Sequence, residues 1–205
     1  MIKTCLDEET FELNENFLCI DFLNTLDWRE RDEPRESLKN YTDLLDWAER
    51  KRLLTSAEAK VLLKKSKSKP HEAEKALGEA QNFRALLDDI FATTSAAKRP
   101  TAKAIKSFNG VLRDALGHLE LELSDGQFSL EILCKTDLLS PILWPIAISA
   151  AQLLSSEELS RIGICQDDDG CGYFFYDTSK NHSKKYCGSN CASRAKVRRF
   201  RSKKS

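Results

Sequence analysis

Two cysteine pairs near the C-terminal end constrain this chain more than anything else in it: Cys165-x5-Cys171, then fifteen residues, then Cys187-x3-Cys191. Close pairs separated in this way follow the spacing of a structural zinc site. Tetrahedral Zn²⁺ takes four ligands, with sulfur at about 2.3 Å, and each pair must converge from a single turn. The intervening residues suit that geometry. Asp167 to Gly170, with Gly172, can reverse the chain between the first two thiols. Tyr173 to Tyr176 is aromatic enough for a strand, and Lys180 to Lys185 is a polar reversal. Cys187 and Cys191 are i and i+4, and share a face if the last helix begins between Tyr186 and Ser189. Knuckle, hairpin and helix in that order predict a treble-clef finger. Unlinked core thiols and an iron–sulfur cluster are the competing readings of four cysteines. A catalytic zinc is not expected, because four thiolates close the coordination shell. The segment from Cys165 to Ser205 is too short for a sufficient core of its own. Structural zinc contributes on the order of 10–16 kcal/mol to the folding of such peptides, so without metal the segment should be largely unfolded.

Charge divides the chain at the same place. The 32 acidic and 32 basic residues cancel, yet every acidic residue precedes residue 178. Residues 1–177 therefore carry −10 and residues 178–205 carry +10. The C-terminal end is the part that would meet a polyanion. After the last ligand run Arg194, Lys196, Arg198, Arg199, Arg201, Lys203 and Lys204 among strong helix formers. Arg194, Arg198 and Arg201 fall on one face, Lys196, Arg199 and Lys203 on a neighbouring stripe, and Val197 and Phe200 are expected to pack back on the finger. So dense a cationic face points to phosphate backbones. The expected nucleic-acid contacts are Lys184, Lys185, Arg194, Lys196, Arg198, Arg199 and Arg201. Four to six phosphate contacts imply a slope of log K against log salt of roughly −4 to −5 on duplex DNA. RNA, an acidic protein partner, an anionic membrane and a merely solvated tail are the rivals. The membrane reading is weak, with one Phe and one Val for an apolar face. The acidic front of the chain could also shield the basic end until something releases it.

The residues ahead of the finger, with 41% hydrophobic residues in the whole chain, can hold one core. Helical rhythm runs through Phe17 to Trp28, and Pro34 lies in a charged loop. Further helices are expected over Tyr41–Lys51, from a Thr55-x-x-Glu58 capping box to about Lys65, from Pro70 to about Ala97, and from Thr101 to Leu116. The lysine-rich stretch 64–69 reads as a solvated turn. His118–Ser124 and Gln127–Leu133 alternate at period two around Asp125-Gly126, which predicts a β-hairpin. A buried helix should start at Asp137 or Ser140 and run to about Leu154, with a short capped turn at Ser156. The fold class is thus α+β: a mainly helical N-terminal domain, residues 1–158, with one small antiparallel hairpin, followed by a zinc finger over 159–205.

Cys5, Cys19 and Cys134 have no partners at ligand spacing and read as small buried hydrophobes. His71 and His118 are isolated, and His182 belongs at an exposed hairpin tip. No secretory signal is expected at the front of the chain, and Pro141 and Pro145 interrupt the longest apolar run. A soluble cytoplasmic protein follows, with thiols and metal rather than disulfides. No nucleophile–base pair, phosphate loop or open metal motif is present, so an enzyme is not expected.

The chain resembles the bacterial CGNR zinc-finger proteins that carry an N-terminal ABATE domain. Leu18-Cys-Ile-Asp21-Phe-Leu-Asn24-Thr25-Leu-Asp-Trp28-Arg29 is similar to the family's "LDFVNT" signature and the Trp-Arg that follows it. Asp43 to Ala48 and Pro145 to Leu154 resemble further blocks, and Phe174 to Ser179 resembles its "FxDxS" strand and turn. The naming motif departs from the family: Cys191-Ala192-Ser193-Arg194 stands for Cys-Gly-Asn-Arg, Tyr186 for the usual Trp, and three residues rather than four separate the last two cysteines. The resemblance implies one structural zinc on a treble-clef finger and a role in stress-induced transcription regulation. It supplies no catalytic residues. Asp21, Asn24, Trp28 and Arg29 admit two readings. They are buried polar groups that lock helix to helix, or they line a pocket for a small effector. Sensing or homodimerisation would then fall to the larger domain.

Overall fold

The computed structural model describes residues 2–4, 17–124, 126–132 and 142–202. Strand β1 (Ile2–Thr4) is followed by helix α1 (Leu18–Leu23), a two-residue ladder of β2 (Leu26–Asp27) and β3 (Arg35–Glu36), then α2 (Tyr41–Arg50), α3 (Ser56–Ser68), α4 (Pro70–Ser95) and α5 (Ala102–Leu116). The hairpin β4 (Leu119–Ser124) and β5 (Gln127–Ile132) precedes α6 (Leu143–Leu154), a 3-10 turn (Glu157–Arg161), β6 (Ile162–Ile164), β7 (Phe174–Tyr176) and α7 (Ser189–Ser202).

The helix starts follow from their caps. Asn40 and Asp43 form a reciprocal capping box ahead of α2, as Thr55 and Glu58 do ahead of α3. The Thr101 side chain accepts from the Ala104 amide at the start of α5, and Pro70 occupies the first turn of α4, where its missing N–H costs nothing. The lysine-rich stretch is not a turn: α3 carries it to Ser68 before the chain breaks at Pro70. The proposed start of the buried helix at Asp137 or Ser140 lies outside the described residues, as do Cys5, Cys134, Lys203 and Lys204. Parallel pairing of β1 along β5 adds a third strand to the expected hairpin.

α1 ends far short of the predicted Trp28. Asn24 and Thr25 form a turn, and Trp28 takes a left-handed φ of 52°. The carbonyls of Leu23 and Leu26 accept from the Arg29 guanidinium instead of continuing a helix. Arg29 is held there by its pair with Asp88 on α4, so a tertiary contact overrides the local apolar rhythm.

The core is built around α6, whose residues Leu143 to Ala150 are all buried, with α1 and α5 against it. Cys19 donates its amide to Ser149 Oγ at 3.2 Å, a polar tie between α1 and α6. The Cys19 thiol is fully buried, and burial pushes it up to about 12, which leaves it inert. Phe22 packs on Trp47, and Phe83 stacks on Phe108. The same core takes in Ile162 and Phe174 from the C-terminal segment, with Phe91 and Phe174 ring centroids 6.2 Å apart. No helix among the described residues is long and apolar enough to cross a membrane.

Candidate metal centre and the cationic helix

The four late cysteines come from three local structures. Cys165 follows β6, Cys171 closes the turn before β7, Cys187 precedes α7, and Cys191 lies in its first turn. Gly170 and Gly172, at φ 83° and 63°, make the reversal between the first two. The sulfurs all lie within 4.8 Å of one another. Cys171 and Cys187 are 3.7 Å apart at Sγ, and Cys187 and Cys191 3.6 Å. Tetrahedral bonds of about 2.3 Å put sulfurs about 3.8 Å apart, so the set fits one zinc ion. Disulfides, at about 2.05 Å, do not match these separations. The Cys187 amide donates to Cys165 Sγ at 3.4 Å, and Arg194 Nη2 to Cys191 Sγ at 3.0 Å; donors of this kind favour thiolate. Burial raises the Cys187 thiol to about 12 and shifts Cys191 in the same direction. Such thiols ionise together only against a cation, which is the charge a zinc ion brings.

The finger is fastened to the helical core by its free strand edge. Backbone bonds link Cys165 to Tyr173 and Asp177 to Arg161, so the intervening Ile164–Phe174 pair is a non-hydrogen-bonded one. The amide and carbonyl of Phe174 therefore face outward, and Asn24 takes both: Nδ2 donates to the carbonyl at 2.9 Å, and Oδ1 accepts from the amide at 3.0 Å. Next to it, Thr25 donates to the Phe22 carbonyl and accepts from Arg84, whose guanidinium also pairs with Glu36. Arg29 pairs with Asp88 beneath the Phe174 ring, its own Nε left without a partner among the described residues. The residues after Trp28 lie against the metal knuckle. Arg31 Nε donates to the Asp169 carbonyl at 2.7 Å. A side chain at Gly170 or Gly172 would collide with Arg31 or Arg29.

Of the four polar positions singled out at the front, Asn24 and Arg29 thus make interior ties, and Asp21 pairs with Lys51. Trp28 lies under two guanidinium groups, Arg31 at 3.7 Å and Arg194 at 5.0 Å from its ring centroid. Asp21, Asn24 and Trp28 also border an open cleft of about 650 Å³ beside Tyr173 and the start of α7, which Arg29 does not line.

The cationic residues of α7 divide into two groups. Arg194 donates to the buried Asp167 through Nε at 2.9 Å and Nη2 at 2.5 Å, and Arg198 pairs with Asp168 and Asp169. Burial alone would raise the Asp167 carboxyl; the bonds from Arg194 and from the Asp169 amide outweigh it and hold it below its ordinary value. Bonds to Asp167 and Asp168 hold Arg194 and Arg198 above theirs. The carboxylates on these arginines belong to the finger's own knuckle, not to the acidic front of the chain. Lys196, Arg199 and Arg201 are exposed, Arg199 donating to the Ala195 carbonyl at 3.3 Å. Lys185 is exposed, and Lys184 reaches the Tyr176 carbonyl and lies over the Phe175 ring. Asp177 closes the turn before them, accepting from the amides of Ser179 and Lys184, and His182 is exposed at its tip with φ 49°. The buried face of α7 is Cys191 and Ala195; Val197 and Phe200, expected on that face, are exposed instead.

The family model of ABATE, described as "Putative stress-induced transcription regulator", matches residues 16–157. This chain belongs to the ABATE family. The model of the CGNR zinc finger matches residues 161–204, covering all four cysteines and α7. No curated protein matches the chain. In this ABATE protein the signature residues Asn24 and Thr25 thus sit where the helical core meets the CGNR finger. The Arg that ends the CGNR motif, Arg194, joins the metal knuckle to Trp28.

Sequence reasoning missed Arg84, Glu36 and the role of the Asp167–Asp169 triplet. The signals were present. Arg84 falls among Ala76, Ala80, Phe83 and Leu87 on the apolar face of α4, where a charge requires a partner. Three consecutive carboxylates beside a knuckle, with arginines at i and i+4 on the following helix, call for pairing.

Proposed function

We propose that this chain is a zinc-dependent DNA-binding transcription regulator, non-catalytic and cytoplasmic, that binds through α7 and the turn before it. The observation that carries this reading is a 14-residue helix fixed at its first turn by a metal ligand, with cations exposed along its outer flank and no acidic residue after Asp177. Lys185, Lys196, Arg199 and Arg201 are the phosphate contacts; Lys184, at the Tyr176 carbonyl and over the Phe175 ring, stands beside them. Arg194 and Arg198 serve first to hold the helix against the knuckle. Three or four phosphates neutralised, rather than six, give an expected salt slope of about −3 on duplex DNA. Titration of labelled random duplex DNA at two or more salt concentrations tests this. Measurable binding at low salt with that slope supports the reading, and absence of binding at low salt overturns it in favour of an adaptor for an acidic protein.

A further inference from the structure

Helix α7 carries an apolar crest on its cationic surface. Val197 is 50% and Phe200 61% exposed. At 3.6 residues per turn they project, with Ser193, opposite the buried Cys191 and Ala195. Lys196 and Arg199 flank this crest on one side; Arg194, Arg198 and Arg201 flank it on the other. Both large apolar side chains of the exposed face thus stand at its outermost line, between two rows of positive charge.

We propose that Val197 and Phe200 read thymine methyl groups in the major groove of duplex DNA, while the flanking cations hold the helix to the phosphates. The inference rests on the DNA-binding reading above and specifies what the bound helix recognises. An α-helix is about 10–12 Å across with its side chains and enters the B-form major groove, which is about 12 Å wide. Along that groove thymine presents a C5-methyl, the apolar feature that side chains without hydrogen-bonding groups can distinguish. The deep, narrow major groove of A-form RNA does not admit a helix, so RNA duplexes do not fit this crest. The cations supply the complementarity that brings it to the groove floor. They do so unequally. Asp168, 75% exposed on its side chain, lies beside Arg198 and repels a phosphate there. The closer backbone strand is therefore the one on the Lys196 and Arg199 side.

The test uses the zinc-loaded full chain and two duplexes, alternating adenine–thymine and its deoxyuridine counterpart, which lacks the C5-methyls. Wild type and the V197A/F200A variant are titrated with both, with zinc content and helical circular dichroism measured on each protein. Wild type is expected to bind the deoxyuridine duplex about fourfold more weakly for each methyl contacted. In V197A/F200A that difference should disappear while the salt slope stays the same. Equal affinity of wild type for the two duplexes overturns the crest as a reader of thymine, and needs no variant to do so. A thymine preference that survives in V197A/F200A also overturns it, since groove shape would then be its source. No binding of wild type to either duplex at low salt overturns the DNA-binding reading itself.

Discussion

Asn24 uses its amide as a missing strand would, donating to the carbonyl of Phe174 and accepting from its amide. Replacement by alanine leaves both backbone groups of a half-buried edge without partners. N24A is therefore expected to lose about 2 kcal/mol of stability in denaturant unfolding. N24D does not restore it, because a carboxylate placed against the Phe174 carbonyl cannot donate. A loss within about 0.5 kcal/mol, the range of ordinary surface changes, would show that the clasp contributes little. Gly172 is constrained twice, by φ 63° and by the Arg29 side chain, which fills the space a Cβ would take. G172A carries about 1–2 kcal/mol of backbone cost before any displacement of Arg29. Because the glycine adjoins Cys171, zinc should leave faster to a competing chelator. An unchanged chelation rate would mean that the loop absorbs the change without moving the ligand.

At the scale of elements, the zinc ion orders more than the finger. The 24–31 segment docks on the finger: Asn24 on β7, Trp28 on Arg194 of α7, and Arg31 on the knuckle at Asp169. Chelation should therefore raise amide hydrogen exchange both over 165–202 and over 24–31, while α3 to α5 keep their protection. Exchange confined to 165–202 would show the two segments to be uncoupled. The helices of the front half were legible from caps and apolar spacing, because each signal is local: Asn40 with Asp43, Thr55 with Glu58, Thr101 alone. The hairpin was legible from its two-residue period. The end of α1 was not, since Leu23, Leu26 and Trp28 continue an apolar rhythm that is cut where the Arg29 guanidinium takes the Leu23 carbonyl and Asn24 turns to Phe174, 150 residues away. The thiol spacing made the metal centre readable. The engagement of Arg194 and Arg198 left only an indirect signal, the run of three carboxylates, because their partners lie 27 to 30 residues earlier and no helical period connects them.

Across the whole molecule, the +10 of the C-terminal segment overstates what a polyanion meets, since Asp167 to Asp169 hold two of its arginines. D168N/D169N should leave Arg198 only its 3.9 Å contact with Asp167 and steepen the salt slope of DNA binding by about 0.9, the contribution of one more phosphate. Affinity at low salt should rise in step. Such exposed pairs contribute at most about 1 kcal/mol each, so folding should be little changed. An unaltered slope would show that Arg198 does not reach the DNA even when released.

Phe174 belongs to the ring cluster of the helical core, and its backbone edge to Asn24. The CGNR segment is consequently no portable cassette. Excised near residue 159, it would carry away two core residues, Ile162 and Phe174, and leave behind a gap beside Phe91. Chimeras between relatives should survive only when the signature at Asn24 and the strand at Phe174 come from the same parent.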